Sequence, residues 1–409
     1  MDIHYRADEI FARHEELFGP SGMQRLRELG HDLLEVRSGG AMVYGADGKA
    51  WIDCMSNAGT HNLGRRHPAV VAAMKKAIYE ADQGNFPMIS MEKAYLAAKL
   101  GAFVPGKLEC VVFSVVRGET VDFACKLARG HTGRKEILGF DGAWHGQTGF
   151  AMSLSQRHDG DAYGNLVPGL RALKYGDMEQ LIKAVGRSTA AVIIEPVQAE
   201  NGCRVADTAM LAELRKLCDR AGAVLIFDET QSGMGRTGRK FYYEHAGIEP
   251  DVLVVGEALG AGMFPIAATV FTGKLNRFMN RHPMIHLSTF GGTDVGCRVA
   301  LGALEVYEQA KPWVNAGFMG EKLMEGMNYI AGLYPKKISQ ARGKGLLLSM
   351  DTGSPKQANS LCAAMAKRGV LVSPGEVARH SVVFRPGLLI GDAEVKTILD
   401  ALGESVREL

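Results

Sequence analysis

The sequence predicts an α/β protein: a mostly parallel central sheet in a large domain, with a small α+β domain beside it. Three observations carry this. Short, near-continuous apolar runs at 190–197 (AAVIIEPV), 223–229 (AVLIFDE) and 251–259 (DVLVVGEAL) alternate with helical segments. Strands apolar on both faces belong in a parallel sheet covered on both sides. Beyond about residue 310 that alternation stops. Finally, 409 residues exceed what one hydrophobic core usually organises, so two domains or a domain with a subdomain are expected.

Taken in order, residues 1–50 contain strand-like pieces around a turn at Gly45–Gly48 and are expected to join the small domain. Residues 51–310 form the expected large domain. Its first helix covers 67–82, with Pro68 at a favoured first position and Val71, Met74 and Ile78 on one face. Ser90 caps a second helix that stops near Phe103, before Pro105. CVVFS (110–114) reads as a strand, 119–134 as a helix, and 208–222 as a helix with Gly222 past its end. IAATVFT (266–272) follows its predecessor closely enough to pair antiparallel. Residues 311–409 form the expected small domain, with strands at 345–351 and 382–388 and helices near 356–368 and from Asp392.

Composition narrows the partners. Hydrophobic residues make up 46% and charged residues 22%, ordinary for a globular protein. A net charge of +2 without a dense Lys/Arg run gives no basis for a nucleic-acid partner, Arg65-Arg66 being too little for a basic patch. No stretch reaches the ~18–20 apolar residues of a membrane helix, and the polar start lacks a secretory core. Seven dispersed cysteines without a CxxC pair read as reduced thiols in a cytoplasmic protein, with no metal site.

Ligands of open parallel sheets sit beyond the carboxyl ends of the strands. Ser114–Gly118, Glu195, Asp228 and Gly256-Glu257 fall at such ends. The most informative run is 227–271, FDETQSGMGRTGRKFYYEHAGIEPDVLVVGEALGAGMFPIAATVF. It resembles the class III aminotransferases, in which DExQxGxGRTG leads to a strand ending GKALGGGxPIGA. Other segments agree in order: 52–70 (IDCMSNAGTHNLGRRHPAV), 126–134 (KLARGHTGR), 142–148 (GAWHGQT), 192–202 (VIIEPVQAENG), 286–297 (HLSTFGGTDVGC), 341–348 (ARGKGLLL) and 384–390 (FRPGLLI).

The resemblance implies the aspartate-aminotransferase-like fold, type I, a homodimer, and a pyridoxal or pyridoxamine phosphate cofactor. It implies amino transfer between an amine or amino acid and a 2-oxo acid. Asp228 would keep the pyridine nitrogen protonated, making the ring an electron sink. Gln231 would reach the phenolic oxygen, Trp144 would stack on the ring beside His145, and Thr289 would contact a phosphate in the neighbouring subunit. Glu195 would be a hydrogen-bonding acid nearby. Arg385 would fork onto a substrate carboxylate, and Glu200 would be the gate that pairs with it when an ω-amine is bound.

Two departures bear on chemistry. The family's NSGxE, whose Ser-Gly backbone cradles the phosphate, is here Val115-Val116-Arg117-Gly118-Glu119. Backbone N–H groups at Arg117 and Gly118 would still offer an anion site, and the Arg117 guanidinium would add to it. The lysine of GKALG is replaced by Glu257. A carboxylate cannot bind the cofactor covalently, although a buried one can carry a proton. Lys240 and Lys274 lie outside the motif. Three explanations stay open: Glu257 as acid/base on a non-covalent cofactor, a non-catalytic ligand-binding or regulatory protein, or a Lys→Glu variant of an active enzyme.

Overall fold

The apolar runs recruit one another into a seven-stranded sheet, seen in a computed structural model that describes residues 6–84, 88–156, 163 and 166–409. Its strands, numbered along the chain, are β1 (Leu108–Ser114), β2 (Glu136–Phe140), β3 (Leu170–Leu173), β4 (Thr189–Ile194), β5 (Val224–Asp228), β6 (Val252–Val255) and β7 (Ala267–Thr272). Their spatial order is β1-β7-β6-β5-β4-β2-β3. Every neighbouring pair is parallel except those of β7, which runs antiparallel to both β6 and β1. β4, β5 and β6 are buried along their whole length, which is why they read as unbroken apolar runs.

The helix Arg117–Thr132 covers one face, burying Val121, Phe123, Ala124, Leu127 and Ala128. Met91–Phe103 forms the second helix, and Ser90 accepts from the Lys93 N–H as its cap. Thr208–Ala221 ends where Gly222 turns left-handed. The antiparallel strands Glu35–Gly39, Met42–Gly45 and Ala50–Asp53 form a separate sheet, which Val370–Leu371 joins in parallel. The C-terminal part adds another four-stranded sheet and the helices Pro355–Lys367 and Asp392–Glu408.

Three details differ from the sequence reading. Ile78 is 59% exposed, and the helix Pro68–Glu80 buries Val70 and Ala77 instead. The run 251–259 is a strand only to Val255, because Glu257–Gly260 turns as a 3₁₀ helix. β2 and β3 were not anticipated; both are short, and β2 is interrupted by Gly139. The sequence also offers Phe86–Met88 as lining for a pocket, of which Phe86 and Pro87 lie outside the described residues.

Candidate active site

The carboxyl ends of β1, β4, β5 and β6 open into a cleft of about 490 Å³. Arg117, Trp144, Glu200, Gln231 and Glu257 line it, opposite Ala58 and Thr60. Two glycines let the walls close. Gly146, at φ +128°, brings the Trp144-His145 loop so near the start of the Arg117–Thr132 helix that a Cβ there would lie 2.9 Å from Gly118 Cα. A Cβ on Gly256 would lie 2.3 Å from Thr230 Cγ2, so Glu257 and the loop after β5 pack together only around glycine.

At one end lies a buried charge cluster. Asp228 Oδ2 is 2.7 Å from His145 Nδ1 and 3.2 Å from Arg117 Nη2. Asp228 Oδ1 accepts from the Thr230 N–H at 3.1 Å and its hydroxyl at 2.6 Å. Arg117 Nη2 also donates to Glu195 Oε1 at 2.7 Å, and Glu195 Oε2 accepts from the Trp144 N–H at 2.8 Å. Burial opposes ionisation of both acids, but not with the same outcome. Arg117 and His145 overcome it at Asp228 and hold that carboxyl well below its ordinary range. At Glu195 burial prevails and pushes the carboxyl up to about 7. Burial also works against the Arg117 charge, but Asp228, Glu195 and Glu257 raise the guanidinium above its ordinary range.

Glu257 is half-buried, and its Oε1 accepts from the Arg117 backbone N–H at 2.8 Å. Its carboxylate therefore takes one of the unpaired donors at the N-terminus of the Arg117–Thr132 helix.

The other end holds a second buried pair. Arg385 Nη1 donates to Glu200 Oε1 at 2.5 Å and to Gln231 Oε1 at 2.6 Å, and Gln231 Nε2 donates to Glu200 Oε1 at 3.0 Å. Arg385 Nη2 reaches Ser373 Oγ at 3.2 Å. Burial disfavours the Glu200 charge, but Arg385 and Gln231 outweigh it and lower the carboxyl.

The structure thus gathers Arg117, Trp144, His145, Glu195, Asp228 and Glu257 at one end, and Glu200, Gln231 and Arg385 at the other. Arg117, expected on a phosphate, places its guanidinium on two carboxylates. Gln231, expected on a phenolic oxygen, joins the Arg385 pair. Thr289 is exposed and is not among the residues lining this cleft. Lys240 donates to the Phe103 carbonyl and Lys274 lines a different surface hollow. Thr230 was missed, although its place two residues after Asp228 suits a local turn back to the carboxylate.

A family profile described as Aminotransferase class-III matches residues 27–406. The chain belongs to this family. A relative in Archaeoglobus fulgidus, described as an uncharacterized aminotransferase, is 36% identical over 394 residues, covering 96% of this chain and 92% of the relative. The ornithine aminotransferase of Toxoplasma gondii superposes with a TM-score of 0.91 at 24% identity, over 99% of this chain and 96% of that one. An amine transaminase from an uncultivated Pseudomonas species, described as PLP-bound in the internal aldimine form, superposes at 0.85 with 25% identity, over 92% and 95%. The chain has the fold-type I architecture expected from the sequence.

Class III aminotransferases are pyridoxal-phosphate dependent. In this class III chain some features suit that group: Asp228 backed by His145, with Trp144 on the cleft wall. As arranged, the remainder does not fit it. Arg117, His145, and the N–H and hydroxyl of Thr230 supply four donors to Asp228, as many as a carboxylate ordinarily accepts. A phosphate at the helix N-terminus would meet the Glu257 carboxylate. The cofactor's ring nitrogen could reach Asp228 only after Arg117 had moved.

Proposed function

We propose that this protein is a ligand-binding member of the class III aminotransferase family in which covalent cofactor catalysis is lost. Its ligand is a small carboxylate-bearing amine or 2-oxo acid. The observation that carries this reading is Glu257: it stands where the resemblance places the cofactor lysine, and it is engaged with the Arg117 N–H. Arg385 supplies the carboxylate-recognising end. With Glu200 on it, that end suits the uncharged or cationic tail of an ω-amine; with Glu200 withdrawn, it suits a second carboxylate.

The test has two arms. Pyridoxal phosphate is added to the protein, borohydride follows, and the product is read by mass spectrometry; no pyridoxyl adduct on any lysine is expected. Calorimetric titration with 2-oxoglutarate and with a panel of ω-amino acids is expected to show binding that Arg385→Lys weakens. An adduct on the unaltered protein, or binding indifferent to Arg385→Lys, would sink the reading.

Turnover that depends on added pyridoxamine phosphate and is lost in Glu257→Gln would likewise sink the reading.

A homodimer is part of the proposal. Met284, Ile285, Leu287 and Phe290 are each more than half exposed around Thr289, an apolar surface that a second copy would cover. Sedimentation of the protein and of Phe290→Asp tests this, with a shift to monomer expected in the variant.

A further inference from the structure

We infer that Arg117 and Glu257 are a matched internal replacement for the two charged ends of the family's cofactor, and that both must be reversed before the cleft accepts it. Arg117 occupies the glycine position of the family's NSGxE, read residue by residue against Val115-Val116-Arg117-Gly118-Glu119. A glycine has no side chain to enter the cleft. Arginine sends a planar cation to Asp228 and Glu195, with its side chain only 10% exposed. That cation meets Asp228 Oδ2, the role the resemblance gives to a protonated ring nitrogen. Glu257 does the same for the other end: its carboxylate accepts from a helix N-terminal N–H, the kind of donor that otherwise serves a phosphate.

The two replacements complement each other in sign. Glu195, Asp228 and Glu257 bring three carboxyl groups to one end of the cleft, and Arg117 is the residue that touches all three, two through its guanidinium and one through its backbone N–H. An isolated Glu257→Lys exchange would leave Asp228 saturated and set an ammonium beside the guanidinium. An isolated Arg117→Gly exchange would free Asp228 but leave the carboxylate on the helix N-terminus. The effects of the two exchanges should therefore be strongly non-additive.

This inference rests on the reading above in one respect, that residue 257 forms no covalent bond to a cofactor. The experiment compares the unaltered protein, Arg117→Gly, Glu257→Lys and the double variant. Pyridoxal phosphate affinity is read by equilibrium dialysis, and covalent capture by borohydride and mass spectrometry. The double variant is expected to bind at least about tenfold tighter than either single one, a difference of about 1.4 kcal/mol, and alone to give an adduct on the introduced lysine.

Removing Arg117 strands two buried acids, so the same set is also made in a Glu195→Gln background. Circular dichroism checks folding, and the rise in Tm on adding pyridoxal phosphate gives a second readout, expected to be largest for the double variant. Capture by Glu257→Lys alone, as complete as in the double variant, overturns the inference. So does a folded double variant that binds no better than the unaltered protein. Tight non-covalent binding by the unaltered protein also overturns it, while leaving the absence of covalent chemistry at residue 257 intact. Covalent capture by the unaltered protein strikes instead at the functional reading.

Discussion

The two ends of the cleft solve the same problem with different charge balances. At the carboxylate end one guanidinium, Arg385, meets one acid, Glu200, and the Gln231 amide completes the triangle. At the ring end one guanidinium, Arg117, is shared by Glu195 and Asp228. One end is balanced pairwise. The other is over-supplied with acid, so one carboxyl is driven down and the other up. A buried charge is tolerated only while its partner stays, and the ring end depends more heavily on a single residue.

That contrast can be broken most directly by removing each arginine. Arg117→Met strands two buried carboxylates and is expected to cost about 3–5 kcal/mol in denaturant unfolding. Arg385→Met leaves Glu200 its donors from Gln231 and the Glu376 N–H, so a smaller loss of about 1–3 kcal/mol is expected. Equal losses would mean that the two ends are energetically alike.

Steric tightness is next in size. Gly256→Ala would drive a methyl into Thr230, which holds Asp228, and is expected to cost about 1–3 kcal/mol. An unchanged Tm would show that the loop after β5 gives way freely.

The ends also differ in the sign of their pH response. Glu195 has a folded value of about 7, above its ordinary 4.5. Between those values the folded state binds more protons than the unfolded one, so stability falls as pH rises through that window. Glu200 is lowered, so its contribution is present above the ordinary carboxylate value and is lost as pH falls through its folded value. Glu195→Gln is expected to lie close to the unaltered protein near pH 5 and to gain about 3 kcal/mol at pH 8. Glu200→Gln is expected to flatten the acid limb. Unfolding midpoints measured from pH 3 to 9 read both, and a shared slope would erase the distinction.

Much of this was legible in the sequence. β4, β5 and β6 announced themselves because burial on both faces demands continuous apolar residues, and the helix ends at Ser90 and Gly222 carry their own capping chemistry. β3, at the edge of the sheet, leaves the adjacent Arg171 and Ala172 exposed on opposite faces and kept no such pattern. Within the site, motif order was enough to name Asp228, His145, Arg385 and Glu200. It could not give the direction of the Arg117 side chain. A long flexible side chain beside a helix N-terminus can reach outward to an anion or inward to acids. The choice is made by Glu195 and Asp228, which lie 78 and 111 residues away in the chain. Glu257 was conspicuous as a missing lysine, but its bond to the Arg117 N–H depends on the 3₁₀ turn that ends β6 early.

The antiparallel strand β7 sets a schedule for assembly. It is the seam between β6, its immediate predecessor in the chain, and β1, with Ala267 lying against Ser114 across a long sequence separation. Contacts so distant in sequence carry a large loop-closure cost and form slowly. Because Arg117 follows β1 and Glu257 follows β6, zipping this seam is what brings the two together. Pulse-labelled hydrogen exchange during refolding should therefore protect the β4–β5 amides before those of β1, and a ligand that needs both residues would find no binding surface until the last wide loop of the sheet has closed.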